Sequence, residues 1–336
     1  MPSPSSDPAA LLVVALLGAC APAERPLDGD VPDTTRSHYR ENDSRSSRMH
    51  PAGKVFAITR SSGRPFGIAV SRDSIVYCTL LDAASLARTT LRSDSLVMVA
   101  VAAVPTDVAF SPAGNWAYVT NQGARTVGIV DTRRNAQVGA VPVDGDPFRV
   151  AIGPEGLRVY VTTNAGNLVQ IDTETRTVGW THSLGGNLNG LAVNADGDRI
   201  YVGDVLGRLI ELNPDGEILR VIPLPGRPQG LALSSDGKEL YSAGEEGELT
   251  MVDLETGVEK ARISLGAGGF GLAVTRDEAQ IWITTPATGQ IVVVDRASRM
   301  IVARIALGGK PRRIAFDQSG NTAVIADEAG AIHLVR

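Results

Sequence analysis

The chain has 336 residues, a formal net charge of −5, four histidines and two cysteines. The acidic balance excludes a general nucleic-acid binder, which needs a basic face to neutralise phosphates. Two cysteines cannot frame a disulfide-rich domain, four scattered histidines cannot build an imidazole-based haem or zinc centre, and no cofactor is expected.

In chain order, the first element is the apolar run Leu11-Leu12-Val13-Val14-Ala15-Leu16-Leu17, followed by Gly18-Ala19-Cys20. A bilayer takes about 20 apolar residues to cross, so residues 1–20 are expected to be a signal peptide. Leu17-Gly18-Ala19-Cys20 resembles the bacterial lipobox, and the resemblance implies cleavage before Cys20 and acylation of its sulfur. Residues 1–10 depart from such peptides: they hold no Lys or Arg and do hold Asp7. Ala21, where some bacteria read Asp, would favour outer-membrane sorting. Residues 21–53 are rich in Asp, Arg, Ser and Pro and too poor in apolar residues to bury a core, which predicts a disordered tether. The expected product is held to the membrane by lipid on Cys20, on the periplasmic side of the cell envelope or at the outer membrane.

Residues 54–336 are periodic. Ala69, Ala109, Ala151, Ala192, Ala232, Ala273 and Ala315 each sit in a short apolar run, about every 41 residues, so one supersecondary unit is copied seven times. In the second copy, Val108–Phe110 meets a Ser-Pro-Ala-Gly turn, and a second run follows at Ala117–Thr120. The aromatic of that second run recurs as Tyr77, Tyr118, Tyr160, Tyr201, Tyr241 and Trp282. A third strand ends in Asp131, Asp172, Asp253 or Asp295, where a carboxylate can take backbone N–H groups of a turn. A fourth strand completes the copy. Four turn-bounded strands per repeat predict an all-β, seven-bladed propeller of four-stranded blades. A β-solenoid needs shorter coils, and a sandwich keeps no single period.

The seventh copy supplies only three strands, and Lys54–Thr59 provides an unused one upstream. The N-terminal strand is therefore expected to complete the last blade, hide both edges and close a monomeric ring. The first copy departs most: Arg88 and Arg92 are expected to break its third strand. Cys78 lies in an apolar strand and reads as a buried structural cysteine, with no disulfide possible once Cys20 is modified.

Tyr118-Val119-Thr120-Asn121 and Tyr160-Val161-Thr162-Thr163-Asn164 resemble the YVTN-type β-propeller repeat of bacterial and archaeal surface and periplasmic proteins. The resemblance covers residues 54–336; copies four to seven lose the literal four-letter word. It implies a propeller, and as fold-level analogy it implies little about activity.

No metalloprotease, Walker, c-type haem or nucleophile-elbow motif is present. Asp144-Gly145-Asp146 and Asp196-Gly197-Asp198 fall at turns, and calcium loops need more oxygen ligands at fixed offsets. What remains is the mouth of the ring. Three residues before the repeated alanine stand Phe66, Thr106, Phe148, Asn189, Gln229, Phe270 and Arg312. Two before it stand Gly67, Asp107, Arg149, Gly190, Gly230, Gly271 and Arg313. Asp107, Arg149 and Arg313 break a glycine pattern, so folding alone explains them less well. The loops between second and third strands add Asp82, Asp204, Glu245, Glu246, Asp327 and Glu328. Asp107, Arg149, Asn189, Gln229, Arg312, Arg313, Asp204 and Glu245 are the candidates for ligand contact, at a pocket for a small polar, anionic ligand. The competing reading has Arg149 and Arg313 pair with Asp107 or rim carboxylates to hold blades in register.

A ligand- or protein-binding scaffold is the expected function. The alternative is a metal-dependent lactonase or lyase with Glu245, Asn189 and Asp204 converging on a metal. A propeller carrying haem or quinone is a third reading, and the few histidines count against it.

Overall fold

The computed structural model describes residues 53–336. The expected signal peptide, Cys20 and nearly all of the tether lie outside the described residues. Those described fold into seven four-stranded antiparallel sheets, with one helical turn among them, the 3-10 turn Gln122–Ala124. Six sheets use consecutive strands. The seventh sets Val55–Arg60 beside Ala331–Val335, then Ala323–Asp327, then Pro311–Phe316. Ile58 pairs with His333 and Arg60 with Ala331, and Lys54 and Arg336 exchange two further backbone hydrogen bonds. The N-terminal strand thus closes the ring, as the incomplete seventh copy requires.

Blade 1 comprises Pro65–Val70, Ile75–Leu80, Ser85–Thr90 and Ser93–Ala100. Its third strand is continuous, contrary to the expected break. Arg88 pairs with Tyr77 and Val97 inside the ladder, and Arg92 falls in the turn that follows. The ladder to the fourth strand slips between Arg88 and Thr90 without ending the third strand.

The apolar core is divided into seven clusters, one at each joint between adjacent blades. In six of them the recurrent aromatic of one blade wedges into the next: Tyr160 packs among Leu188, Ile200, Val202 and Leu212, and Trp282 among Ile314, Ala323 and Ile325. The joint between blades 7 and 1 has Val324 in that place and is filled from the other side by Ile68, Leu80 and Cys78. Cys78 is fully buried, and burial pushes its thiol up, which fits a structural role. The turns after the third strands also behave as expected. Asp131 accepts the Arg133 and Arg134 N–H groups at 2.9 and 3.0 Å, and Asp172 those of Glu174 and Thr175 at 3.0 and 2.7 Å.

The innermost strands carry a feature that periodicity does not reveal. Pro105 pairs with Asn121 and Asp107 with Thr120, so Thr106 is an extra residue; the ladder slips likewise at Phe148, Asn189 and Gln229. A bulge breaks the alternation of side chains, and two consecutive positions then both reach the axis. It also frees a backbone N–H, which must find a partner. The threonine two after the recurrent aromatic supplies it: Gly67 donates to Thr79 Oγ1 at 2.7 Å, Asp107 to Thr120 at 2.8 Å and Gly271 to Thr284 at 2.8 Å. Those hydroxyls face the Thr106, Phe148 and Arg312 carbonyls of the next blade at 3.4, 3.3 and 2.6 Å. Each is therefore a clasp from one blade to the next. Blades 4, 5 and 7 have Gly203, Ala243 and Ala326 there and lack it.

The axial glycines have a local cause. A Cβ on Gly67 would stand 2.6 Å from the Thr106 carbonyl oxygen, and one on Gly230 2.6 Å from that of Phe270. The backbone of the next blade passes too close for any side chain.

Candidate functional site

Antiparallel order puts the loops leading into the innermost strands and the turns between second and third strands on one face, the upper face. There the bulged residues converge. Phe66 meets Phe148 and Phe270 edge-on, with ring centroids 6.1 and 5.5 Å apart. Arg312 lays its guanidinium 4.7 Å from the Phe270 centroid and 5.6 Å from that of Phe66, a favourable cation–π arrangement. Its Nε donates to Glu328 at 2.6 Å, and Arg64 pairs with the same carboxylate. Burial alone would raise the Glu328 carboxyl, but hydrogen bonds from the two arginines outweigh it and hold it below the usual range.

One residue further along each strand lies the group that breaks the glycine pattern. Asp107, which is buried, accepts Arg149 Nη1 at 2.9 Å and the Val150 backbone N–H at 3.1 Å, so an ion pair bridges blades 2 and 3. Arg313 comes from blade 7 and is 4% exposed. Its Nη1 donates to the carbonyls of Gln229 at 3.1 Å and Phe270 at 3.4 Å, and its guanidinium lies over Phe270 at 4.6 Å. Its Nε and Nη2 are buried without a partner, as is Nε of Arg149. Asp107, Arg149 and Arg313 line a common cavity of about 100 Å³.

Two arginines and one aspartate leave this cavity with an excess positive charge. Burial pushes the Arg313 guanidinium well below its ordinary range, repulsion from Arg149 and Arg312 adds to it, and Asp107 opposes it. Arginine stays protonated in proteins nonetheless, and an uncompensated buried charge costs on the order of 3–5 kcal/mol. Such a group persists when something else compensates it.

The structure therefore brings Asp107, Arg149 and Arg313 together, with Arg312 beside them above Phe270. Gln229 and Asn189 are buried close by in the bulges, and Gln229 Nε2 donates to Glu245 Oε1 at 2.7 Å. The register-holding reading applies to Arg149, which pairs with Asp107, whereas Arg313 pairs with no carboxylate among the described residues. Asp204 stays away from the cavity. Its Oδ1 caps the Leu206 and Arg208 N–H groups at 3.0 Å and its Oδ2 takes Arg208 Nε at 2.7 Å. Other rim carboxylates fasten the loop that leads into their own blade: Asp82 accepts the Arg64 N–H, Glu246 that of Arg227 and Asp327 that of Lys310. Glu245 is half-exposed and paired with Arg227. Glu245 and Asp204 are thus engaged separately, and among the described residues no group of three or more His, Cys, Asp or Glu is placed to hold a metal ion. Sequence reasoning passed over Arg64, whose signal was a basic residue just before the proline of an inner strand, opposite Glu328.

Ring and axis together define the class: a seven-bladed β-propeller whose axis is occupied by charge. The family described as outer membrane protein assembly factor BamB matches residues 123–278. The chain is also similar to the seven-bladed β-propeller protein Rv1057 of Mycobacterium tuberculosis, at 33% identity over 99 residues. That match spans 28% of this chain and 25% of the relative, about a quarter of the relative's length. In three dimensions the chain is similar to hydrazine synthase of Kuenenia stuttgartiensis, with a TM-score of 0.75, 17% identity and coverage of 83% of this chain and 97% of that one. At that identity the likeness is one of fold.

Proposed function

We propose that the protein is a cell-envelope β-propeller that works as a binding scaffold, and that its ligand is a small polar anion taken at the axial arginines. The observation that carries this is Arg313, a buried guanidinium with two free donors where four other copies have glycine. The match to the BamB description supports an envelope setting. So do the YVTN-like words and the lipobox-like Leu17-Gly18-Ala19-Cys20, which make a lipid anchor on Cys20 part of the proposal. Two measurements test it. A thermal-unfolding panel of small organic and inorganic anions on the full chain is expected to show stabilisation that Arg313→Met removes. Metabolic labelling with a radioactive fatty acid is expected to mark the protein, and Cys20→Ser to abolish the label. Stabilisation that survives Arg313→Met would remove the axial site, and an unlabelled wild type would remove the anchor.

A further inference from the structure

Resting on that reading of the axis, we infer that the cavity between Asp107, Arg149 and Arg313 holds a single small monovalent anion, a halide or one carboxylate-type oxyanion, on the Nε–Nη2 edge of Arg313.

The two unpartnered atoms of Arg313 are Nε and Nη2, and its Nη1 is engaged by the Gln229 and Phe270 carbonyls. In a guanidinium, Nε and Nη2 carry parallel N–H bonds on one edge, the fork that accepts a halide or two carboxylate oxygens side by side. The free donors are thus a matched pair aimed one way. Arg149 contributes a third, Nε, on the same cavity. No acceptor among the described residues answers these donors: Asp107 has one oxygen on Arg149 and Val150, and Glu328 is held above by Arg312 and Arg64.

Charge sets the valence. Asp107 cancels Arg149, and Arg313 leaves one positive charge to be met by one negative charge. A second negative charge would face Asp107 without a cation of its own. Space allows one small anion. A cavity of about 100 Å³ exceeds the about 10–15 Å³ that admits one water, so chloride, nitrate or formate fits. Phe148 and Phe270 lie against the Arg313 guanidinium, at 6.0 and 4.6 Å from their centroids, and lower the dielectric in which the anion is held.

The test is thermal unfolding of the full chain at constant ionic strength, with sodium gluconate replaced stepwise by chloride, bromide or formate. Wild type is expected to gain stability with the logarithm of the small anion. Above its Kd the unfolding constant falls about tenfold for each tenfold rise in anion, as one site demands. Arg313→Met is expected to lose that dependence and to match or exceed wild-type stability in gluconate. Crystals of wild type soaked in bromide are expected to show an anomalous peak within hydrogen-bond reach of Arg313 Nε and Nη2, a readout that needs no variant to fold. Equal stability in chloride and gluconate with no bromide peak overturns the inference, as does an undiminished dependence in Arg313→Met. Should only larger or doubly charged organic anions stabilise, and only with Arg313 present, this inference fails while the ligand-binding reading stands. If no anion of either kind acts, both fall.

Discussion

The joints between blades and the axis of the ring are made from the same seven copies, yet they follow different rules. At the joints the copy is kept: an aromatic wedge in six of seven, a threonine clasp in three, and charges that meet partners. The Glu239 carboxylate, for example, takes Arg296 of the next blade at 2.9 Å, Tyr241 Oη at 2.7 Å and Lys260. On the axis the copy is broken at three places, and one of the three charges placed there has no carboxylate partner. Where repetition alone builds a structure, like environments produce like residues. Where residues at one copied position diverge and lack partners among the described residues, repetition does not account for them.

That contrast can be broken most forcefully at a wedge. Trp282 is 1% exposed and packs edge-on against Phe316 at 5.6 Å. Trp282→Ala is expected to cost about 3–5 kcal/mol, read by denaturant unfolding, and to leave the anion response of Arg313 intact. A smaller effect is expected at a clasp. Thr120→Val keeps the shape but strands the Asp107 N–H, for about 1–3 kcal/mol. A loss below about 0.5 kcal/mol would show that the clasps do not hold the joints. The finest test concerns paired charge. Burial would raise the Glu239 carboxyl, but hydrogen bonds from Lys260, Tyr241 and Arg296 bring it down to about 2 from 4.5. A carboxylate depressed on folding contributes fully above its unfolded value and loses that contribution as pH falls through the folded one. Wild type is thus expected to lose stability from about pH 4.5 down to about 2, and Glu239→Gln to lose less over that window. Equal slopes would show that this pair does not stabilise the joint.

The seven alanines and the recurrent aromatics made the ring and its closing strand legible, because one period recurs with little noise. The divergent residues on the axis were legible too, since a departure from a repeat is visible in the repeat itself. The bulge was not. It follows from how an inner strand bends beside its neighbour, and nothing in Thr106, Phe148, Asn189 or Gln229 marks those positions as extra residues. Without the bulge, the role of Thr120 as acceptor for a freed N–H could not be seen. Arg88 misled because a charge inside an apolar strand suggests a break, whereas it keeps its place in the ladder opposite Tyr77. Asp204 was grouped with the axial charges by its place in the copy. Its two oxygens are instead directed back into its own turn.

The strand that closes the ring also sets a timetable. Val55–Arg60 finds its partner Ala331–Val335 more than 270 residues later, the kind of distant pairing that is slow to form. During synthesis from the N-terminus, blade 1 is complete long before the last blade exists, and its face toward blade 7 waits uncovered, with Ile68 and Cys78 among the residues that will later be hidden. Ring closure is then the final event of folding, and a chain released before it presents a free strand at one end and an unpaired sheet edge at the other. Two such chains can complete each other by exchanging these ends. A substitution at Val335, which is fully buried at the closure, would thus be felt first as exchanged dimers formed during refolding, before any change in the finished ring.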